Sequence, residues 1–299
     1  MTRALATRYR QMIMRRHPVF QRCGLFMARC LTGTRLRVLA GSVIATLLSV
    51  HALPAQPAAA VAAAAAAAEA APTPPVAVRA PVPFAVGEML VYKATFGGIP
   101  AGTARMHVAG IETVRGRQAY HVIFSIEGGL PLFRVNDRYE SWLDVETLSS
   151  LRHVQQISEG RYKRHTTYEI FPDRAQYRKN DEALQPSVGN PLDDGSFIYA
   201  VRAAGVQPGQ TRRDDRYFRP DRNPVILTGL RRDTVKVDAG TFATTVVRPT
   251  IRTTGLFAEG GEAQVWFSDD AQRVPVQVKS KFAGFSLTLS LKSKTDGAR

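Results

Sequence analysis

Apolar and polar positions alternate along most of the chain from Phe84 onward. In EMLVYKATF, residues 88–96, Leu90, Tyr92 and Ala94 share one side, and Val91, Lys93 and Thr95 share the other. Period-two alternation between Gly, Pro, Asn and Asp residues is typical of half-buried β-strands. The pattern recurs in roughly ten or eleven segments, and short connectors such as DAG and SDDAQ predict antiparallel hairpins between neighbours.

One segment breaks this alternation. In DDGSFIYAVRAAG, residues 193–205, Phe197, Ile198 and Val201 recur at helical spacing, and we expect Asp194 to cap the helix and Gly205 to end it. The predicted fold is mainly β, a strongly curved antiparallel sheet or open barrel of about ten strands with one helix packed on it. We expect residues 84–292 to form this single domain and residues 293–299 to be a tail.

The first part of the chain has a different composition. Residues 1–37 contain nine arginines and no acid, and residues 38–50 form an uncharged, mostly apolar run before a small residue, Ala52. This order predicts a signal peptide over residues 1–52, with an over-long basic n-region and cleavage near Ala52. We therefore expect a periplasmic protein with no transmembrane span after processing, because the apolar run is too short to cross a bilayer comfortably. The Ala/Pro-rich residues 53–83 indicate a linker.

Export changes how charge and cysteine content are interpreted. The formal charge is +15, but residues 1–52 hold nine of the 40 basic residues and none of the 25 acidic ones. The processed chain therefore has 31 basic against 25 acidic residues, a charge of +6, and we expect no nucleic-acid binding. Cys23 and Cys30 both lie in the export segment, so a disulfide framework or a cysteine metal site is not expected.

Several phrases, in order, resemble one bacterial exported family. They are FAVGEMLVYKATFGGIPAGTARM, FRVNDRYESWLD, LDDGSFIYAVR, VDAGTF and VWFSDDAQRVPVQV. Together they resemble domain-of-unknown-function family 3108 over about residues 84–292, a family whose name implies no activity. The architecture is similar to that of periplasmic lipoprotein-carrier proteins, in which a highly curved sheet carries a helix over its concave face. That likeness concerns the fold and says little about function.

Acidic residues in FRVNDRYESWLD are the first candidates for chemistry. Asp137 and Glu140 could form an acid/base pair, but residues three apart on a regular strand face opposite sides. Asp137 lies among apolar neighbours and needs a partner, for which Arg202 on the predicted helix is one candidate and Lys93 or Arg105 are others. We therefore predict a buried polar site formed by Asp137, Arg202 and Glu140.

Other catalytic and cofactor signals are weak. The histidines that remain after processing are scattered over separate segments without paired spacing; they are His107, His121, His153 and His165. The sequence has no nucleophile-elbow motif, and its glycine-rich stretches lack the lysine of a phosphate loop. We expect no catalytic residue, no metal and no cofactor.

Large side chains on the apolar side of the sheet and on the helix allow two interpretations. They either fill a closed core or line a cavity for an acyl chain or another apolar ligand. The candidate cavity residues are Tyr92, Phe96, Phe124, Tyr139, Phe197, Tyr199 and Trp266.

Three functions follow from these alternatives. The first is a non-enzymatic binding or carrier module for a lipid or another amphipathic envelope component. The second is a structural factor that docks an envelope protein through its edge strands or its Ala/Pro linker. The third is a glycan-acting enzyme that uses Asp137 and Glu140.

Overall fold

The computed structural model describes residues 82–130, 133–251, 263–282 and 285–298. The predicted signal peptide, and the predicted linker up to residue 81, lie outside these residues. The strands are β1 (Met89–Phe96), β2 (Ile99–Val114), β3 (Arg117–Leu130), β4 (Phe133–Asp144), β5 (Ser150–Glu159), β6 (Tyr162–Phe171), β7 (Gln176–Lys179), β8 (Gln185–Pro186), β9 (Thr211–Asp214), β10 (Val225–Val237), β11 (Gly240–Thr250), β12 (Gln264–Ser268), β13 (Pro275–Phe282) and β14 (Phe285–Thr295). One helix, α1 (Ser196–Ala204), and two short 3-10 turns, Pro172–Arg174 and Pro220–Arg222, complete the described elements.

All fourteen strands belong to one antiparallel sheet. Its order is β8-β7-β6-β5-β4-β3-β2-β1-β14-β13-β12-β11-β10-β9, so β1 and β14 join two meanders at the middle of the sheet. The sheet does not close into a barrel. The predicted fold class is confirmed. The sheet has three or four strands more than expected, and among them are β8 and β9, whose two and four residues are too few to show period-two alternation.

The core consists of two main clusters on the inner face of the sheet. Leu90, Tyr92 and Leu291 lie in the first cluster, where β1 and β14 meet, and each is almost fully buried. The second cluster includes Tyr168 of β6 and Phe218 of the segment between β9 and β10. Helix α1 contributes to both, through Tyr199 to the first and through Phe197 and Val201 to the second. The helix therefore connects the two halves of the core.

The ends of α1 agree only in part with the sequence prediction. Gly205 does end the helix, and its backbone N–H donates to the carbonyl of Val201 at 2.8 Å. The expectation that Asp194 caps the helix is wrong. Asp193 Oδ1 accepts the backbone N–H groups of Gly195 and Ser196, at 2.8 and 2.9 Å. Asp194 instead accepts the Tyr217 hydroxyl at 2.7 Å and the Gln155 side-chain amide at 3.2 Å.

Within the described part of the chain, no helix has the length and apolar character that a membrane crossing requires.

Candidate functional site

Asp137 lies on the inner face of β4 with only 4% of its surface exposed. It accepts the backbone N–H of Ser158 on β5 at 2.8 Å and shares a hydrogen bond with the carboxyl group of Glu159. The partners of Asp137 therefore differ from the one expected, because a backbone amide and a second carboxyl group occupy the position expected for Arg202.

Arg202 forms an ion pair with Glu88 instead. Its Nη1 and Nη2 donate to the two carboxylate oxygens of Glu88 at 2.7 and 2.8 Å. Nη2 also donates to the carbonyls of Pro83 and Gln272, at 3.1 and 3.2 Å. The arginine is fully buried and Glu88 nearly so. This bidentate geometry ties α1 to the start of β1 and to the β12–β13 turn. The pair is thus part of the framework, away from Asp137.

Burial sets the protonation state of the acidic pair on β4 and β5. Burial raises the pKa of Asp137, while hydrogen bonds from Ser158 and Glu159 oppose the rise. Burial, followed by the charge of Asp137 and the hydrogen bond to it, raises the pKa of Glu159 to about 7, and the charge of Arg164 partly offsets this. Near neutral pH the Glu159 carboxyl group therefore carries a proton in a large fraction of molecules and can donate it in a hydrogen bond.

Glu140 lies on the opposite face of β4. The pairing of β3 with β4 runs from Phe133 to Asp144 without a register shift, so residues 137 and 140 point to different sides. Burial alone would raise the pKa of Glu140, but hydrogen bonds from Arg138 and His121 and the charges of these two residues lower it. The predicted polar site therefore separates into three places, because Asp137, Glu140 and Arg202 each have other partners.

The outer-face partners of Glu140 form a compact polar group. His121 Nε2 lies 2.7 Å from Glu140 Oε2, and its Nδ1 lies 2.9 Å from Glu112 Oε1. The imidazole stacks on the indole of Trp142, with 4.4 Å between ring centroids. The Trp142 Nε1–H donates to Glu112 Oε2 at 2.7 Å. Each of these polar groups has a partner, which favours a role in holding β2, β3 and β4 together.

The candidate cavity residues divide into two sets. Five of them have less than a tenth of their surface exposed, and all of these except Phe96 belong to the two main core clusters; they are Tyr92, Phe96, Phe197, Tyr199 and Trp266. Tyr92 also donates its hydroxyl to the carbonyl of Pro275 at 2.8 Å. Phe124 and Tyr139 are only half-buried. Of the candidate cavity residues, Phe124 and Tyr139 therefore keep the most exposed ring surface.

Phe124 and Tyr139 lie beside the acidic pair. They face each other across β3 and β4 with 6.2 Å between ring centroids, and Ile126 is the direct cross-strand neighbour of Asp137. Val135 faces Glu159 across β4 and β5. Ile126, Val135 and Glu159 are half-buried. We call this region the acid-lined patch, and its members are Phe124, Ile126, Val135, Asp137, Tyr139 and Glu159.

A buried serine, histidine and aspartate also come together, which the sequence analysis missed. Ser141 Oγ donates to Asp193 Oδ1 at 2.6 Å and lies 3.1 Å from His153 Nδ1. Asp193 Oδ1 approaches the same imidazole nitrogen, at 3.5 Å. In a catalytic triad the acid and the nucleophile contact opposite nitrogens of the histidine. This group lacks that order and is sealed from solvent, so it fastens the start of α1 to β4 and β5.

No signal in the sequence could have revealed this group, since its three members lie on separate segments and none has a motif. Among the residues that the structure describes, histidine, aspartate and glutamate side chains form no group of three or more that could hold a metal ion.

The sequence matches the family described as protein of unknown function DUF3108, over residues 91–292. The chain belongs to this family. The DUF3108 match runs from β1 almost to the end of β14, and so covers the acid-lined patch and α1. None of the curated proteins compared matches the chain.

Solved structures with related architecture share little sequence with this DUF3108 protein. A β-barrel-like protein of domain-of-unknown-function family DUF1849 from Brucella abortus matches with a TM-score of 0.46 and 10% identity, covering 73% of this chain and 100% of its own. A candidate lipoprotein from Parabacteroides distasonis gives 0.33 and 11%, covering 73% and 100%. A candidate exported protein with a YmcC-like fold from Bacteroides fragilis gives 0.28 and 12%, covering 72% and 98%.

Proposed function

We propose that this DUF3108 domain is an exported, non-enzymatic binding or carrier module that holds an amphipathic envelope molecule at the acid-lined patch. The observation that carries the proposal is the half-buried apolar surface of Phe124, Ile126 and Tyr139 beside two hydrogen-bonded carboxyl groups. Apolar walls with a few convergent polar groups are typical of small-molecule sites. The basic and apolar order of residues 1–52 supports export.

The polar part of the ligand follows from the charge of the patch. A protonated Glu159 donates its hydrogen bond to the carboxylate of Asp137, so a ligand that takes the place of this bond can accept from Glu159 and donate to Asp137, and the charge of Arg164 lies close to both. An uncharged head group with hydroxyl or amide groups can use both capacities without leaving a buried charge unpaired. The apolar part of the ligand then packs against Phe124 and Ile126.

The other two candidate functions have less support. The edge strands are poor docking sites for a partner strand, because β8 is two residues long and contains Pro186, and β9 carries Arg212 and Arg213. A glycan-acting enzyme that uses Asp137 and Glu140 needs both carboxyl groups in one cleft, and they lie on opposite faces of β4.

Binding can be tested with a fluorescent naphthylamine probe of apolar sites and with native mass spectrometry of protein purified from the periplasm. We expect a co-purifying small molecule that the probe displaces, and we expect Ile126→Ala to weaken probe binding about fivefold or more through lost apolar contact. Ile111→Ala is the matched control, because Ile111 lies on β2 with 48% of its surface exposed and away from the patch. Empty protein that does not bind the probe would contradict the proposal, as would equal losses in the two variants.

A further inference from the structure

The outer face of β4, β5 and β6 contains an open recess of about 690 Å³. It is lined by Asn136, Arg138, Gln156, Ile157, Ser158, Lys163, Arg164 and His165. No carboxylate is among these residues, while three with side chains on the outer face are basic (Arg138, Lys163 and His165) and three more are neutral hydrogen-bonding residues. The composition of the recess is therefore that of an anion site.

The strand register explains why these side chains converge. Arg138 faces Gln156 across β4 and β5, and Gln156 faces His165 across β5 and β6. Ser158 faces Lys163 in the same way. Directly opposed residues on one face of a sheet have side chains about 5 Å apart. Two parallel rows of donors thus cross three strands, on the face opposite the acid-lined patch.

The cations of the recess keep donor capacity. Arg138 uses Nε and Nη2 to bind Glu140, at 2.9 and 3.0 Å, so its Nη1 remains for another acceptor, and 42% of its side chain is exposed. Lys163 and His165 are exposed, and within the described residues neither lies within ion-pair distance of a carboxylate. Arg164 alternates with Lys163 and His165 along β6, so its side chain lies on the inner face, where it donates to Gln155 at 2.9 Å and does not add to the cations of the recess. Of the outer-face cations of the recess, Arg138 has an acidic partner among the described residues, Glu140, and Lys163 and His165 have none.

We propose that this recess binds a phosphate-bearing molecule with a polar body. Phosphate oxygens accept several charge-assisted hydrogen bonds at once, which suits a guanidinium, an ammonium and an imidazole around one concave surface. The size of the recess exceeds that of a single phosphate and suits a phosphorylated sugar or a phospholipid head group. The outer-face side chains of the recess are all polar, so affinity is mainly electrostatic and falls as salt concentration rises.

The test measures binding of the full chain to two probes that share the phosphate chemistry. One probe is glucose 6-phosphate, followed by calorimetry, and the other is a phosphatidylglycerol vesicle compared with a phosphatidylcholine vesicle, followed by co-sedimentation. We expect the double variant Lys163→Ala with His165→Ala to weaken binding at least fivefold at low salt. Both side chains are exposed, so thermal unfolding of this variant should match that of the wild type.

Lys236→Ala is the matched control, because Lys236 is an exposed lysine on β10, in the other half of the sheet. If glucose 6-phosphate binds and the double variant weakens that binding, the ligand is a soluble phosphate compound. If only the phosphatidylglycerol vesicle binds and the double variant weakens that binding, the ligand is a lipid head group. Absence of binding to both probes overturns the proposal. The proposal is also overturned if Lys236→Ala weakens binding as much as the double variant does, since the probes would then respond to the total charge of the protein and not to the recess. Ile126→Ala should leave phosphate binding unchanged. The proposal for this recess and the proposal for the acid-lined patch can therefore be tested independently.

Discussion

Glu159 shows how the fold changes the chemistry of one side chain. Its carboxyl group is half-buried at the end of β5, beside Asp137, and its pKa is raised to about 7. The group has an ordinary pKa of 4.5 when it is not perturbed. Between these two values the folded protein binds more protons than the unfolded chain, so its stability falls as pH rises from about 4.5 to about 7. The raised pKa of Asp137 acts in the same direction.

Replacing Glu159 with Gln should remove the part of the pH dependence of stability that comes from Glu159. Glutamine cannot ionise and resembles the protonated carboxyl group, so the variant and the wild type should have similar free energies of unfolding at pH 4.5. At pH 8 the variant should be the more stable of the two. Urea unfolding at both pH values measures the difference, and Glu146→Gln serves as the control, because Glu146 is an exposed acid in the β4–β5 turn. If the difference in free energy of unfolding between Glu159→Gln and the wild type is the same at both pH values, the pKa of Glu159 is not raised.

At the same scale, sequence reasoning could find Asp137 but not its partners. Alternation along β4 places residue 137 with Val135 and Tyr139, and the structure shows that position to be buried. The partners Ser158 and Glu159 lie more than twenty residues away on β5. Their approach depends on the register between β4 and β5, which the hydrophobic pattern of either strand alone does not determine. Likewise, Arg202 pairs with Glu88 and not with Asp137 because of the position of α1, which the sequence pattern does not determine.

Among the elements, β2 and β3 are unusual in approaching each other through a pair of glycines. Gly102 and Gly128 are direct cross-strand partners. A Cβ on Gly102 would lie 2.2 Å from the carbonyl oxygen of Glu127 and 2.7 Å from Gly128 Cα, and Gly102 has a φ of +147°. Backbone atoms cannot move aside as a flexible side chain can, so only glycine fits at this position.

Gly102→Ala should therefore destabilise the protein by about 2 kcal/mol or more. The matched control is Gly110→Ala, on the same strand, where the added Cβ meets no atom within 4 Å and φ is not positive. Gly110→Ala should be neutral or stabilise the fold by about 0.5 kcal/mol, because alanine lowers the conformational entropy of the unfolded chain. Thermal and urea unfolding of both variants measure the contrast. Equal effects of the two substitutions would mean that the close approach of β2 and β3 is unimportant for stability.

Element prediction worked where an element was long enough to repeat its pattern. The eight residues of β1 and the nine of α1 show clear periodicities of two and 3.6. The two-residue β8 cannot show any period, and it is a strand only because β7 lies beside it. The helix cap was assigned one residue too late, because Asp193 and Asp194 are both good capping residues and only the packing of Asp193 against Ser141 distinguishes them.

At the scale of the whole molecule, Glu88 and Arg202 join parts that are distant along the chain. They are separated by 114 positions, and Arg202 also binds the carbonyl of Gln272, a further 70 residues on. One guanidinium group thus links the start of β1, helix α1 and the β12–β13 turn. Burial of both charges is costly unless they remain paired, so the contribution of each partner depends on the presence of the other.

Arg202→Met should destabilise the protein by about 3 kcal/mol or more, because it leaves the Glu88 carboxylate buried without its partner. Adding Glu88→Gln to this variant should recover part of the loss, because the remaining side chain is then uncharged. Urea unfolding of the two single variants, the double variant and the wild type completes a double-mutant cycle. If the losses of unfolding free energy in the two single variants add up to the loss in the double variant, Glu88 and Arg202 are not coupled.

The meeting of β1 and β14 at the middle of the sheet has a consequence for biosynthesis. The meander from β1 to β8 can form as soon as its residues have been made, since its strands pair in chain order. The second meander lacks its attachment until β14 is complete, and Val86 then also pairs with Ala298. A ribosome adds the C-terminal residues last, so a chain that stops before residue 285 leaves two arms with unpaired strands, β1 and β13, at their inner borders. Exposed strands of this length invite pairing between molecules, and a truncated product is for this reason a substrate for aggregation or proteolysis.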